Sequence, residues 1–336
     1  MNSRDKILIS RLRDTFDKNY KITRLYTAYL EHFPELIKTE MVNTLCHEGE
    51  LEKIEAVRAL VCEILGLDFE HKEDRELIRD YITPSVRLLD ARRYTEDSYY
   101  KNIKIENKLI GNWEFRRETY PAYRAVICDE LTTLPDFTEI PALGFFTEDF
   151  EFPAVLEDGN EWMTLTPVDM DTCTEAIRAA HGRVVTFGLG LGYYAYHVAR
   201  KSDVESVTVV ERSEQVIKLF CDELLPQMEC RDKIKIVSAD AFEYAKEIMP
   251  KENFDLAFVD IWRDGGDGSE AYKKMKPLEE LSPNTKFLYW IEGFILSRLR
   301  AERFEAIWNM LEGSEFSYDD VIRELSDKKR LAANFN

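Results

Sequence analysis

Residues 183–200 read "RVVTFGLGLGYYAYHVAR". A β-branched run, Val184, Val185 and Thr186, leads into glycines at alternate positions, Gly188, Gly190 and Gly192. A strand that ends in a turn stripped of side chains lets main chain approach a ligand, and lets the next helix offer its first N–H groups. Downstream the pattern alternates. "RVVTFG", "SVTVVE", "KIKIVSAD", "FDLAFVD" and "TKFLYWIE" are near-continuous apolar runs, and "YYAYHVARKS", "EQVIKLFCDELL" and "AFEYAKEIM" separate the first four as helices. Strands of that kind belong to a parallel sheet covered by helices on both faces. The expected fold class is α/β, a doubly wound, mostly parallel sheet over residues 171–336 that ends in a helical tail.

Upstream, residues 111–170 are richer in Gly, Pro and aromatics, and "FPAVLEDGNEWMTLTP" reads as strand, Asp158-Gly159 turn, strand. Residues 1–110 carry helical stripes: Ile7, Leu8, Leu12 and Phe16, then Ile22, Leu25, Tyr26 and Tyr29, then Leu51, Ile54, Val57, Val61 and Ile64. The expected organisation is therefore a helical domain (1–110), a β-hairpin segment (111–170) and the α/β domain (171–336). Nothing in the helical part points to chemistry. Its uncommitted apolar stripes suit a homodimer.

Composition sets limits. With 336 residues, 45% hydrophobic and 32% charged, the chain can bury one large core or two ordinary ones. No run approaches eighteen apolar residues, and "MNSRDKILIS" lacks a signal-peptide core, so no membrane partner is expected and the cytoplasm is the expected location. The six cysteines are scattered without C-x-x-C, and Cys46-His47 is the one close Cys/His pair, so reduced thiols and no metal site are expected. A formal charge of −19 argues against a nucleic-acid partner, which wants basic side chains against phosphate. Residues 125–177 hold thirteen acids and no Lys, Arg or His. Such a stretch is either a solvated surface or a field that draws in a cationic substrate.

In doubly wound sheets the ligand lies beyond the carboxyl ends of the strands. Gly188, Gly190 and Gly192 occupy the first such end, Glu211 the second, Asp240 and Ala241 the third, and Asp260 the fourth. A carboxylate at Glu211 suits the two hydroxyls of a ribose, and Asp240 suits the amino edge of an adenine. The expected ligand is of adenosine type. On glycines alone a nicotinamide dinucleotide also fits, since Gly190–Ala195 satisfies G-x-G-x-x-A.

The later strand ends turn the reading elsewhere. "VSADAF" followed by "FDLAFVD" resembles the Rossmann-like S-adenosylmethionine-dependent methyltransferases, and the hairpin, "VTVVERSEQVIKLF" and "FDLAFVDIWRD" resemble the spermidine-synthase-like branch. The resemblance covers residues 153–295. It implies S-adenosylmethionine as cofactor, with its methionine part on Gly188, Gly190 and Gly192, its ribose on Glu211 and its adenine on Asp240. Two departures stand out. Thr186 and Leu191 occupy positions where members of the superfamily place an acid for the ligand's ammonium group, leaving Asp260, Asp264 or Glu161 to take that part.

The loop "DIWRDGGDG" is the expected acceptor site, with Asp260 and Asp264 binding or deprotonating an amine, Trp262 meeting a cation with its ring, and Glu292 a further substrate contact. The alternative for Asp264–Gly268 is a plain flexible turn. Tyr193 and Tyr194 either cover the cofactor or split, one inward and one outward. Methyl transfer to a small-molecule or peptide acceptor is the first reading. Aminopropyl transfer from the decarboxylated cofactor is the second, although Asp260-Ile-Trp-Arg-Asp264 replaces the D-x-x-D-P motif of that branch. A non-catalytic sensor or scaffold is the third.

Overall fold

The computed structural model describes residues 3–311 and 316–333. Five strands, β1 (Gly182–Phe187), β2 (Val204–Glu211), β3 (Ile234–Ser238), β4 (Leu256–Val259) and β5 (Lys286–Tyr289), pair in the order β3-β2-β1-β4-β5. All pairings are parallel, so Phe187 stands level with Val210 and Val259, and these with Val237 and Tyr289. The strand order reverses between β1 and β4, which opens a crevice at their carboxyl ends. This is a doubly wound α/β sheet of Rossmann type.

Helices follow the strands: α1 (Tyr193–Ala199) after β1, α2 (Gly265–Met275) after β4, and α3 (Glu292–Met310) after β5. On one face Val185, Phe187, Ala257 and Val259 pack with Tyr244, Met249, Tyr272 and Ile295. On the other face Tyr194 of α1 stacks on Phe258 with ring centroids 4.3 Å apart. Because both faces are covered, Val184, Val185, Val207 and Val209 are all fully buried. Each such valine contributes roughly 1.5–3 kcal/mol by leaving water. That is the physical reason for the unbroken apolar runs in the sequence.

The chain folds into two compact units. The unit holding the sheet comprises Tyr94–Glu118, Phe152–Trp308 and Arg323–Asn336. It also contains most of a second sheet, whose strands Lys108–Ile110, Trp113–Tyr120, Phe150–Glu157 and Asn160–Thr164 lie side by side in that order. The last two form a hairpin at Asp158 and Gly159, which take φ of 51° and 78°, the left-handed pair that a tight two-residue turn requires. Past α3 the chain is helical again, at Tyr318–Ser326 and Lys328–Ala332, and no closing antiparallel strand follows β5 among the described residues.

The other unit comprises Met1–Arg93, Thr119–Glu151 and Asn309–Ile322. Its first helix, Ser3–His32, buries Ile9, Leu12, Phe16, Asn19, Ile22, Tyr26 and Tyr29 along one seam. The polar member of the seam is satisfied: Asn19 donates to the Phe137 carbonyl at 2.8 Å and accepts from Tyr81 and from the Glu139 amide. Val86–Leu89, inside the stretch whose pattern reads as helical, is instead a strand paired in parallel with Leu143–Phe146. Its partner is more than fifty residues away, so local periodicity carries no sign of it.

Candidate functional site

Gly188 leaves β1 with φ of 96°, and a Cβ there would stand 1.8 Å from the carbonyl oxygen of Asp260. Only glycine lets the loop after β1 lie against the end of β4. The Gly188 amide donates to the Val210 carbonyl at 2.9 Å, and the Asp260 amide to the Phe187 carbonyl at 2.8 Å, so the loop stays stitched to both neighbours. At the far end Gly192, φ 76°, precedes α1 with the Phe220 ring 2.3 Å from where a Cβ would project. Gly190 lies between them beneath Met163 of the hairpin, whose sulfur is 3.1 Å from the corresponding point. The three glycines thus form a backbone cradle at the centre of the sheet, with Asp260, Met163 and Phe220 packed where their side chains would project.

Around the cradle the strand ends present acids. Glu211, half-buried, accepts the Leu189 amide on Oε2 at 3.2 Å and the Ser213 amide on Oε1 at 2.8 Å. Asp240 accepts the amides of Phe242 and Glu243, both on Oδ1, and Ala241 beside it is buried. Asp260 keeps partial exposure at the end of β4. Desolvation by its packed surroundings, with the charges of Asp169 and Glu211, pushes its carboxyl up to about 8.

Asp169 is a member of this group that the sequence reading lacks. It sits in the short helix Pro167–Thr172, where its Oδ2 accepts the Thr166 amide at 2.8 Å and the hydroxyls of Thr166 and Thr164. Desolvation pushes it up to about 6, the threonine hydrogen bonds pull against that, and Glu161 adds a further raising charge. Thr166-x-x-Asp169 is recognisable in sequence as a helix-start box. Nothing in that motif says which strand end it faces. Buried Cys173, also raised by desolvation, feels the charges of both Asp260 and Asp169.

The remaining candidates are engaged elsewhere. Asp264 is exposed and caps α2, accepting the Gly266 amide at 2.6 Å and the Asp267 amide at 3.1 Å, while Asp267 returns to the Asp264 amide. The segment open to reading as a flexible turn is therefore a capped helix start. Trp262 lies in the core with its ring parallel to Tyr289 at 6.3 Å and its indole N–H without a partner. Glu292, at the first turn of α3, accepts Tyr272 Oη at 2.8 Å and Lys328 Nζ at 2.7 Å. Of the two tyrosines, Tyr194 points into the core and Tyr193 is half-buried against the rings of Tyr99 and His197. Thr186 and Leu191 are both buried.

The site therefore combines a cradle for backbone recognition, a carboxylate at each of the next two strand ends, and a pair of interacting carboxyl groups at Asp260 and Asp169. Such an arrangement can bind a nucleoside and, beside it, a positive group. No protein-family model matches the chain, and no curated protein matches it. Solved structures do. A precorrin-8w decarboxylase from Methanobacterium thermoautotrophicum is 21% identical, with a TM-score of 0.27, over 35% of this chain and 60% of that one. Spermidine synthase from Thermotoga maritima is 18% identical, TM-score 0.31, over 46% of this chain and 59% of that one. A spermidine synthase in complex with the transition-state analogue AdoDATO is 16% identical, TM-score 0.31, over 59% and 71%. The chain thus spans about three fifths of the first two structures it matches.

Proposed function

We propose that the chain is an S-adenosylmethionine-dependent methyltransferase acting on a small-molecule or peptide acceptor that carries a positive charge or an amine. The observation that carries this reading is the succession of three strand ends: the Gly188–Gly192 cradle, Glu211 and Asp240. They fit the adenosine half of the cofactor. Each Glu211 oxygen accepts one main-chain N–H and retains lone-pair capacity for a ribose hydroxyl. The two amides held by Asp240 fall on Oδ1, so Oδ2 can accept from an adenine amino group, with Ala241 against the ring.

When bound, S-adenosylmethionine supplies a sulfonium-activated methyl group for in-line attack. The chain's part is to align, shield and move a proton. Asp169, joined by Asp260 as that carboxyl ionises, supplies the negative charge that Thr186 and Leu191 do not, and so holds the ammonium group of the ligand or of the acceptor. Asp260 takes the proton that an amine acceptor sheds. Its carboxyl, raised to about 8, acts as that base at mildly alkaline pH, where it is ionised.

One observation favours aminopropyl transfer as the second reading. Asp260 feels the charges of Asp169 and Glu211, and Asp169 that of Glu161, a chain of acids that suits an acceptor with more than one positive charge. Calorimetric titration with S-adenosylmethionine, its decarboxylated form and a nicotinamide dinucleotide separates these readings. Preference for the intact cofactor supports methyl transfer, and preference for the decarboxylated form supports aminopropyl transfer. Binding of none leaves the scaffold reading standing.

A further inference from the structure

We infer that a short strap, helix Ser98–Asn102 with its cap Asp97, holds the glycine loop in its ligand-ready shape, and that Tyr99 is the positioning residue. The inference rests on the nucleoside reading of the loop, and assigns to a segment outside the sheet a share in ligand affinity. Tyr99 is 1% exposed, and its hydroxyl donates at 2.5 Å to the carbonyl of Leu191, the residue between Gly190 and Gly192. Its ring meets Tyr193 and Tyr196 edge-on, with centroids 5.6 and 5.2 Å away.

The rest of the strap is bonded to α1. Asp97 accepts the amides of Tyr99 and Tyr100 and lies 3.2 Å from His197 Nε2. The Tyr196 hydroxyl donates to the Ser98 carbonyl at 3.2 Å and accepts from Asn102 Nδ2 at 3.0 Å. Arg200 donates to the Ser98 hydroxyl and to the Tyr196 hydroxyl. The strap thus grips both the loop and the helix that follows it.

The loop has reason to need such a grip. Gly188, Gly190 and Gly192 all take positive φ within five residues, a backbone with the widest choice of alternatives. Ordering it on ligand binding costs conformational entropy, and a carbonyl already pinned by a buried hydroxyl lowers that cost. Tyr99→Phe keeps the ring contacts and removes only the hydroxyl, leaving the Leu191 carbonyl short of its partner.

The test compares Tyr99→Phe with Tyr94→Phe, which deletes a buried hydroxyl bonded to Asp171 at 2.9 Å. Two quantities are read: amide hydrogen exchange over residues 189–193 in the ligand-free protein, and the calorimetric Kd for S-adenosylmethionine. Tyr99→Phe is expected to speed exchange in the loop and to raise Kd about tenfold, while Tyr94→Phe leaves both unchanged. A purely structural role would lower Tm in both variants and leave loop exchange and Kd alone, which overturns the inference. Should Tyr99→Phe fail to fold, Asp97→Asn decides, since asparagine still caps the strap but lacks the charge facing His197. Faster loop exchange in it supports the strap, and unchanged exchange overturns it. If the unaltered protein binds no nucleoside, the proposed function falls, and the exchange arm still decides whether the strap orders the loop.

Discussion

The main-chain N–H of Leu189 donates to Glu211 Oε2 over 3.2 Å, so the loop after β1 and the end of β2 share one carboxylate. Glu211 also holds the Ser213 amide, at the cap of the helix that follows β2. Glu211→Ala removes both bonds and the oxygens assigned to the ribose. Its Kd for S-adenosylmethionine is expected to rise by a factor of about 100, on the scale of two lost hydrogen bonds to a charged acceptor. Glu211→Gln keeps one acceptor oxygen, and its loss is expected to be about tenfold. Calorimetry on the two variants checks the ranking.

Gly188→Ala puts a methyl group into the Asp260 carbonyl, 1.8 Å from the new carbon, in a backbone conformation that L-residues avoid. The obstacle is main chain at the end of a central strand, so no side chain can swing aside. The variant is expected to lose several kcal/mol of stability or fail to fold, beyond the roughly 1–2 kcal/mol that left-handed strain alone costs. Urea unfolding measures the difference.

Asp260 gives the stability of the protein a definite pH dependence. Its folded pKa is raised to about 8, while an unfolded aspartate titrates near 3.9. Between those values the folded state holds a proton that the unfolded state has shed. The contribution is fully present below about pH 4 and is lost as pH rises through about 8. Asp169, raised to about 6, acts in the same direction over the lower part of that window. Asp260→Asn removes the loss, so its Tm relative to the unaltered protein is expected to climb between pH 5 and pH 9. Thermal scans across that range check the slope. Affinity for a cationic ligand is expected to change the other way, rising with pH as Asp260 ionises.

Arg303 is 6% exposed in α3 and donates to Glu324 at 2.9 Å and to the Ala333 carbonyl at 2.7 Å. Its neighbour Arg330 also pairs with Glu324. Arg303→Met keeps the bulk and leaves the Glu324 carboxylate and the carbonyls of Arg330 and Ala333 with fewer donors. The expected cost is about 3 kcal/mol, at the lower end for a broken buried pair because Arg330 remains. Chemical denaturation measures it, and an unchanged midpoint would contradict the role of this pair in docking the tail.

The sheet could be read from the sequence because its physics is local. Val184–Phe187, Val207–Val210 and Leu256–Val259 are buried on both faces, so each strand announces itself as an apolar run bounded by polar residues. The glycine cradle and the acids at Glu211, Asp240 and Asp260 follow from their positions at the strand ends. What stayed hidden is tertiary. Asp169 belongs to a cap box, and only folding brings its charge to bear on Asp260. Tyr99 reaches Leu191 across ninety-two residues of chain. Asp264 illustrates a local signal that goes the other way, since Asp264-x-x-Asp267 is itself a capping box that marks the start of α2.

The nucleoside site stands or falls on calorimetric titration of the unaltered protein with S-adenosylmethionine, repeated with Glu211→Ala and Asp240→Ala. Saturable binding is expected, near one ligand per chain, weakened in both variants while their folds persist by circular dichroism. Absence of binding, or binding indifferent to Glu211 and Asp240, would contradict the assignment.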